Sequence, residues 1–117
     1  MIDLSSDTAT RPTPAMREAI ARAEVGDEQR GEDPTVNELQ RRVAELLGQE
    51  AALFAVTGTM CNRLAVAAQT APGDVVVIER DAHLMRYETG GPAVMSGVLL
   101  EQLPGDRGTF TPEQLDE

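Results

Sequence analysis

Short apolar runs of strand length alternate along this chain with segments of helical periodicity. The runs cover residues 51–56, 75–79 and 98–103. Helical spacing of apolar residues precedes the first run and follows it again. Strands that alternate with helices form mainly parallel sheets with right-handed crossovers. We therefore predict an α/β domain with a mainly parallel sheet.

Two helix starts are marked by a capping side chain followed by proline, Thr13-Pro14 and Asp33-Pro34. Apolar residues recur at helical spacing after each pair. The first pattern predicts a short helix, and the second predicts a longer helix that ends at Gly48. The acidic, glycine-containing segment between the two helices is predicted to be a loop.

Both ends of the chain carry further local signals. Ser6, Thr8 and Thr10 alternate, which predicts an extended arm with these side chains on one side. A capping-box pattern predicts a helix that starts at 112, but too few residues follow for it to be stable. We therefore expect residues 1–117 to be the N-terminal portion of a domain that is truncated near this helix. The incomplete sheet would then have open edges.

The chain carries 20 acidic and 10 basic side chains, which give a formal net charge of −10 at pH 7. This charge repels nucleic acids and anionic membrane surfaces, so we expect neither as a partner. A local phosphate site at a helix N-terminus remains compatible with it. Because the N-terminus lacks a secretory signal and no apolar run could span a bilayer, we expect a cytoplasmic protein.

The residue types that are missing restrict the chemistry further. All 10 basic residues are arginine, so no lysine is present to form a Schiff base or act as a base. Cys61 is the single cysteine and His83 the single histidine. We therefore expect no internal disulfide and no metal centre built from several Cys and His ligands.

The first candidate site is Thr57-Gly58-Thr59, between the run at 51–56 and a predicted helix over 60–69. Its N–H groups and hydroxyls could hold a phosphate, or a threonine could simply cap the helix. The Gly-Lys-Ser/Thr ending of a P-loop is absent. We interpret Cys61, in the first turn of this helix, as a packing residue.

The second candidate site begins at His83, a few residues after the predicted strand 75–79. Open α/β sheets place ligand-binding groups there, but a lone histidine after a strand is more often a surface or helix-capping residue. Tyr87 and Glu88 precede two glycines. They could lie beside a close backbone approach or form an ordinary turn, and the spacing leaves both alternatives open.

Several motifs, taken together, resemble one family. In chain order they are Ser-Asp-Thr-Ala-Thr-Arg-Pro-Thr from Ser6, Gly-Glu-Asp-Pro-Thr-Val-Asn from Gly31, Gly-Thr-Met from Gly58 with Asn62, Asp-Ala-His ending at His83, Tyr87-Glu88 with Gly90-Gly91, and Leu-Pro-Gly-Asp-Arg-Gly from Leu103. Their order and spacing resemble those of the amino-terminal part of the threonine aldolases, which belong to the β-eliminating lyases. The resemblance covers essentially the whole chain.

This resemblance implies the aspartate-aminotransferase-like large domain of PLP fold type I, with pyridoxal 5′-phosphate (PLP) as cofactor. It implies a carbon–carbon lyase that cleaves threonine or a related β-hydroxy-α-amino acid to glycine and an aldehyde. PLP serves as the electron sink, and a general base must lie near the β-hydroxyl. The family also implies homo-oligomers.

The same resemblance assigns roles to individual residues. Gly58 and Thr59 match the positions that hold the cofactor phosphate. His83 matches a catalytic residue that stacks on the pyridine ring and acts near the β-hydroxyl. Ser6 matches a contact to the substrate carboxylate, and Tyr87 and Glu88 match positions in the wall of the substrate site.

The sequence departs from the family pattern at Ser5, Gln29-Arg30, Thr57 and Cys61, and Arg30 stands at an active-site tyrosine position. The family's PLP-binding lysine, the aspartate that pairs with the pyridine nitrogen and a substrate-binding arginine lie further along, after this sequence ends. We therefore expect this chain to be inactive by itself. The alternative is a non-catalytic remnant or subunit that completes its sheet with another chain.

Overall fold

The computed structural model describes residues 2–115 and divides into two compact units, Met1–Phe54 and Ala55–Glu117. The first unit contains helices α1 (Pro14–Arg22) and α2 (Pro34–Leu47), together with two short 3₁₀ turns, Asp7–Ala9 and Glu28–Arg30. The predicted loop between α1 and α2 therefore includes one turn of 3₁₀ helix.

The two helices of the first unit begin at the predicted caps. Thr13 Oγ1 accepts a hydrogen bond from the Met16 N–H at 3.2 Å, and Asp33 Oδ1 accepts one from Val36 at 2.9 Å. Helix α2 ends where Gly48 adopts a left-handed conformation with φ 64°. Both predicted helices are confirmed, because capping depends on local contacts that the sequence specifies.

The predicted extended arm at the N-terminus is wrong. Ser6 caps the turn Asp7–Ala9, with Oγ accepting a hydrogen bond from the Thr8 N–H at 3.2 Å. The Thr10 N–H donates to the Asp7 carbonyl at 3.2 Å and closes the turn. Short hydroxyl side chains bond to nearby backbone in this way, and that local bonding favours a turn over a strand.

The predicted strand at 51–56 is also wrong, because these residues form no strand. The Phe54 N–H donates instead to the Gln40 side-chain oxygen of α2, at 2.8 Å. An apolar run becomes a strand only when a neighbouring strand supplies backbone partners.

The second unit contains the elements α3 (Gly58–Gln69), β1 (Val75–Glu79), α4 (His83–Arg86), α5 (Gly91–Ser96), β2 (Leu99–Leu103) and α6 (Pro112–Leu115). Strands β1 and β2 pair in parallel, from Val75 opposite Leu99 to Glu79 opposite Leu103. The predicted α/β class and parallel pairing are confirmed. Helix α6 begins at the predicted residue, and the last two residues of the chain lie outside the described range.

The buried apolar centre of the second unit is Val98, just before β2, with 1% of its surface exposed. Within residues 2–115, β1 and β2 pair only with each other, so each has an open outer edge. Val75 and Leu99 are 55% and 66% exposed. No helix in the described range is long and apolar enough to cross a membrane.

Candidate functional site

Helix α3 begins with an open set of backbone donors. Thr57 is its N-cap, and the Thr57 Oγ1 accepts a hydrogen bond from the Met60 N–H at 3.0 Å. The N–H groups of Gly58 and Thr59 make no hydrogen bond within residues 2–115. A Cβ atom at Gly58 would meet nothing within 4 Å. Two free donors at the positive end of a helix suit an anion.

Capping of α3 leaves room for an anion at the same helix end, because the cap and the free N–H groups belong to different residues. Thr57 caps the helix, which leaves Gly58 and Thr59 available to a ligand. An open cavity of about 360 Å³ borders this end of α3, lined by Thr57, Thr59, the next turns of the helix and Met95 of α5.

His83 opens α4, shortly after the end of β1. Its Nδ1 lies 2.9 Å from Glu88 Oε1, while 57% of the imidazole surface is exposed. The Tyr87 ring lies beside it, with ring centroids 5.1 Å apart and planes inclined by 38°. The histidine is therefore held from one side and open on another.

The Glu88 side chain is completely buried, with 0% of its surface exposed. Its Oε1 accepts a hydrogen bond from Asn62 Nδ2 of α3 at 2.7 Å and also faces His83. The Arg63 Nη2 donates to the Glu88 backbone carbonyl at 3.2 Å. Glu88 thereby connects His83 to the helix that carries Gly58 and Thr59.

Opposing influences set the ionisation of Glu88. Burial is the largest and raises its pKa, but the hydrogen bonds from Asn62 and His83 and the charges of His83 and Arg63 lower it. The net result is a pKa below the ordinary value of 4.5. Glu88 is therefore ionised at neutral pH and must accept hydrogen bonds, so the His83 Nδ1 carries a proton.

The family resemblance also points to Tyr87, Ser6 and Arg30 as positions of the active site. Tyr87 is 75% exposed and available to a ligand. Ser6 is exposed in the first unit, where its hydroxyl lies 2.8 Å from Thr8 Oγ1. Arg30 is exposed in the same unit and forms an ion pair with Asp27 at 3.5 Å.

Cys61 is exposed, so its interpretation as a packing residue is wrong. The next two residues of α3, Asn62 and Arg63, are the ones that contact Glu88. Adjacent positions on a helix point in different directions, and Cys61 lies outside this contact.

The model of the β-eliminating lyase family matches residues 3–117, nearly the whole chain. The chain belongs to the β-eliminating lyase family. Members of this family have PLP fold type I, which agrees with the parallel α/β arrangement of the second unit.

Several curated relatives of this chain are named as threonine aldolases. The chain is 48% identical over 98 residues to the low specificity L-threonine aldolase of Escherichia coli K12, and 45% identical over 98 residues to a probable low-specificity L-threonine aldolase 2 of Arabidopsis thaliana. These alignments cover 84% and 83% of this chain. A protein of Cochliobolus carbonum named alanine racemase TOXG is 34% identical over 110 residues, or 92% of the chain.

The matched region is the shorter part of each relative. It spans 29% of the E. coli protein, 28% of the Arabidopsis protein and 28% of the Cochliobolus protein. The β-eliminating lyase family is PLP-dependent in general, and its threonine aldolases resemble this chain over the segment that contains Gly58, Thr59 and His83.

Sequence reasoning missed the two residues that organise this site. Asn62 belongs to one of the family motifs, and Arg63 belongs to none. Both contact Glu88, which lies more than two dozen positions further along the chain. A buried carboxylate requires partners, but the sequence gives no local sign that Glu88 is buried.

Proposed function

We propose that this chain provides the phosphate-binding and histidine-bearing part of a PLP-dependent, threonine-aldolase-like lyase. The observation that carries the proposal is the link from the open end of α3 through Asn62 and Glu88 to His83. This link joins a helix end that suits an anion to an exposed imidazole within one compact unit.

The residues present fit the cofactor. The free N–H groups of Gly58 and Thr59, with open space at Gly58, suit its phosphate. The exposed His83 ring suits contact with its pyridine ring. When bound, PLP would withdraw electrons from the Cα–Cβ bond of an amino-acid substrate.

His83 would handle the proton of the substrate β-hydroxyl. Its Nδ1 donates to Glu88, so in the neutral imidazole the Nε2 atom is free to accept a proton. Glu88 has no exposed side-chain surface, so we place it behind His83 and not against the substrate. Tyr87 is exposed beside the histidine, in a position to contact the substrate.

We extend the proposal to the whole protein as follows. Ser6 would contact the substrate carboxylate, residues 1–117 would form the N-terminal portion of a larger PLP-binding domain, and the protein would be cytoplasmic. The chain has no lysine, so the amine that binds PLP covalently would come from outside this sequence. A homo-oligomer, or completion by another chain, would complete the site.

Ligand binding tests the first half of the proposal. Pyridoxine 5′-phosphate, which lacks the reactive aldehyde, is titrated against the purified chain and followed by ³¹P NMR. The variant Gly58→Glu places a carboxylate where the phosphate would bind, and we expect affinity to fall about tenfold or more. The variant Gln69→Glu adds the same charge at the other end of α3 and should bind like the unaltered chain.

Equal binding by Gly58→Glu and the unaltered chain would count against a phosphate site at α3. Because a carboxylate at a helix N-terminus is favourable, the variant should remain folded, and circular dichroism checks this.

Catalysis tests the second half. The chain is mixed with a polypeptide containing the part of the E. coli aldolase that follows the matched region, and acetaldehyde release from L-threonine is measured. We expect activity only in the mixture, and a loss of about a hundredfold or more with His83→Phe, which retains an aromatic ring but no proton acceptor. Formation of D-alanine from L-alanine by the mixture would favour a racemase-like reaction instead.

The open outer edges of β1 and β2 support the second candidate, a non-catalytic subunit. In that case the chain would associate with the added polypeptide but bind no pyridoxine 5′-phosphate. The binding and catalytic measurements therefore separate the two functions.

A further inference from the structure

Arg63 of α3 lies close to Glu88, the buried residue that contacts His83. Its Nε is 3.7 Å from Glu88 Oε2, and within residues 2–115 neither atom has a hydrogen-bond partner. The guanidinium is held by its bond to the Glu88 carbonyl at 3.2 Å and by a contact from Nη1 to Met95 Sδ at 3.0 Å. Three quarters of the Arg63 side chain is buried.

The chain makes room for this guanidinium at Gly91. A Cβ atom at Gly91 would overlap all three terminal atoms of the Arg63 side chain. Gly91 is itself buried. Because the side chain of Gly91 is only a hydrogen atom, the Arg63 guanidinium can extend to Glu88.

Arg63 is the constant positive charge at the buried carboxylate. The charged or titratable groups that face Glu88 are Arg63 from α3 and His83 from α4, and α5 has no charged residue. An imidazole is positive only when protonated, whereas a guanidinium is always positive. Whenever His83 is neutral, as a proton acceptor must be, Arg63 is the one cation within residues 2–115 that still faces Glu88.

We propose that Arg63 is a positioning residue, whose guanidinium keeps Glu88 ionised and directed at His83 so that Nδ1 holds a proton and Nε2 stays available. Arg63 also lines the cavity at the start of α3, but in this assignment it acts on His83 through Glu88. The inference deepens the proposed function and rests on it for the role of His83.

NMR of the chain tests the proposal directly, because His83 is its only histidine and needs no assignment. Long-range ¹H–¹⁵N spectra give the protonation of each ring nitrogen at alkaline pH. The ¹³C shift of the Glu88 carboxyl, assigned by its absence in Glu88→Gln, gives that group's titration midpoint. The variants are Arg63→Gln, which removes the charge, and Arg63→Lys, which retains it.

We expect the unaltered chain to show a proton on Nδ1 and a Glu88 midpoint below 4.5. In Arg63→Gln the Glu88 midpoint should rise, because a positive charge facing the carboxylate is lost, and the histidine should shift toward the Nε2-protonated form. Arg63→Lys should stay close to the unaltered chain, because the charge is what matters.

The proposal is overturned if Arg63→Gln is folded and changes neither signal, or if Arg63→Lys behaves like Arg63→Gln. Should Arg63→Gln fail to fold, the unaltered chain decides: a Glu88 midpoint above 4.5, or an Nδ1 without a proton, overturns it. These readouts use no PLP, so the positioning role can fail while pyridoxine 5′-phosphate still binds, and the reverse.

Discussion

Replacement of Gly91 by alanine should destabilise the second unit by forcing Arg63 away from Glu88. The new Cβ would overlap the guanidinium, which must then move toward solvent. Gly91 also precedes Pro92, and a residue with a Cβ is disfavoured in helical conformation before proline. Both effects act in the same direction.

The size of the loss follows from the contacts that Arg63 makes. Displacing Arg63 breaks its charged hydrogen bond to the Glu88 carbonyl, and bonds of this type contribute about 1.5–3 kcal/mol. Replacing glycine by alanine in a helix returns about 0.5–1 kcal/mol. Taking the two together, we expect Gly91→Ala to lower the free energy of unfolding by about 0.5–2.5 kcal/mol.

Gly90→Ala is the matched control. The two glycines are adjacent, but a Cβ at Gly90 meets nothing within 4 Å and its φ is −78°. This variant should unfold within about 0.5 kcal/mol of the unaltered chain. Urea unfolding can be followed by the fluorescence of Tyr87, the only tyrosine in a chain without tryptophan.

A double variant separates the two causes of the loss. In an Arg63→Ala background the overlap is gone, so Gly91→Ala should cost about 1 kcal/mol less than in the unaltered chain. An identical cost in both backgrounds, or a Gly91→Ala chain as stable as Gly90→Ala, would refute the argued contact.

Three further predictions concern caps and charges. Thr57→Ala should cost about 1 kcal/mol of stability in urea unfolding, because it removes the cap of α3, whereas a cost equally large for Thr59→Ala would contradict the assigned cap. Because the folded-state pKa of Glu88 is depressed, its stabilisation is present above pH 4.5 and is lost as pH falls through that lower pKa. Unfolding measured against pH should show this loss in the unaltered chain and not in Glu88→Gln. The hydrogen bonds from Arg41 and Arg42 lower the pKa of Glu38 to about 2, so Glu38→Gln should reduce the helical circular dichroism of α2 at neutral pH but not below pH 2.

Features that depend on neighbouring residues could be predicted from the sequence. The caps at Thr13 and Asp33 and the left-handed end at Gly48 all involve atoms within a few residues. The parallel pairing of β1 with β2 also follows from the alternation of strands and helices.

Features that depend on distant partners could not be predicted. The run at 51–56 has strand composition but no strand pairs with it in the part of the chain that the structure describes, and a glutamine side chain of α2 accepts from one of its backbone donors. Residues near Ser6 have the alternation of a strand, yet their hydroxyl groups bond to the local backbone and form a turn. Composition alone does not reveal which backbone groups find partners.

The residues of the candidate site stay a prediction, and their arrangement could not be predicted from the sequence. The motifs located Gly58, Thr59 and His83, and local spacing left their roles open. The contacts from Asn62 and Arg63 to Glu88 join segments far apart in the chain, and such contacts follow no local periodicity.

The pairing of β1 with β2 has a consequence for biosynthesis. Val75 can pair only after Leu99 has been synthesised, and α4 and α5 are synthesised between them. During that interval the nascent Val-Val-Val-Ile segment lacks β2, its strand partner within residues 2–115, and unpaired strand segments are vulnerable to aggregation. Slower translation of residues 80–98 would lengthen this interval.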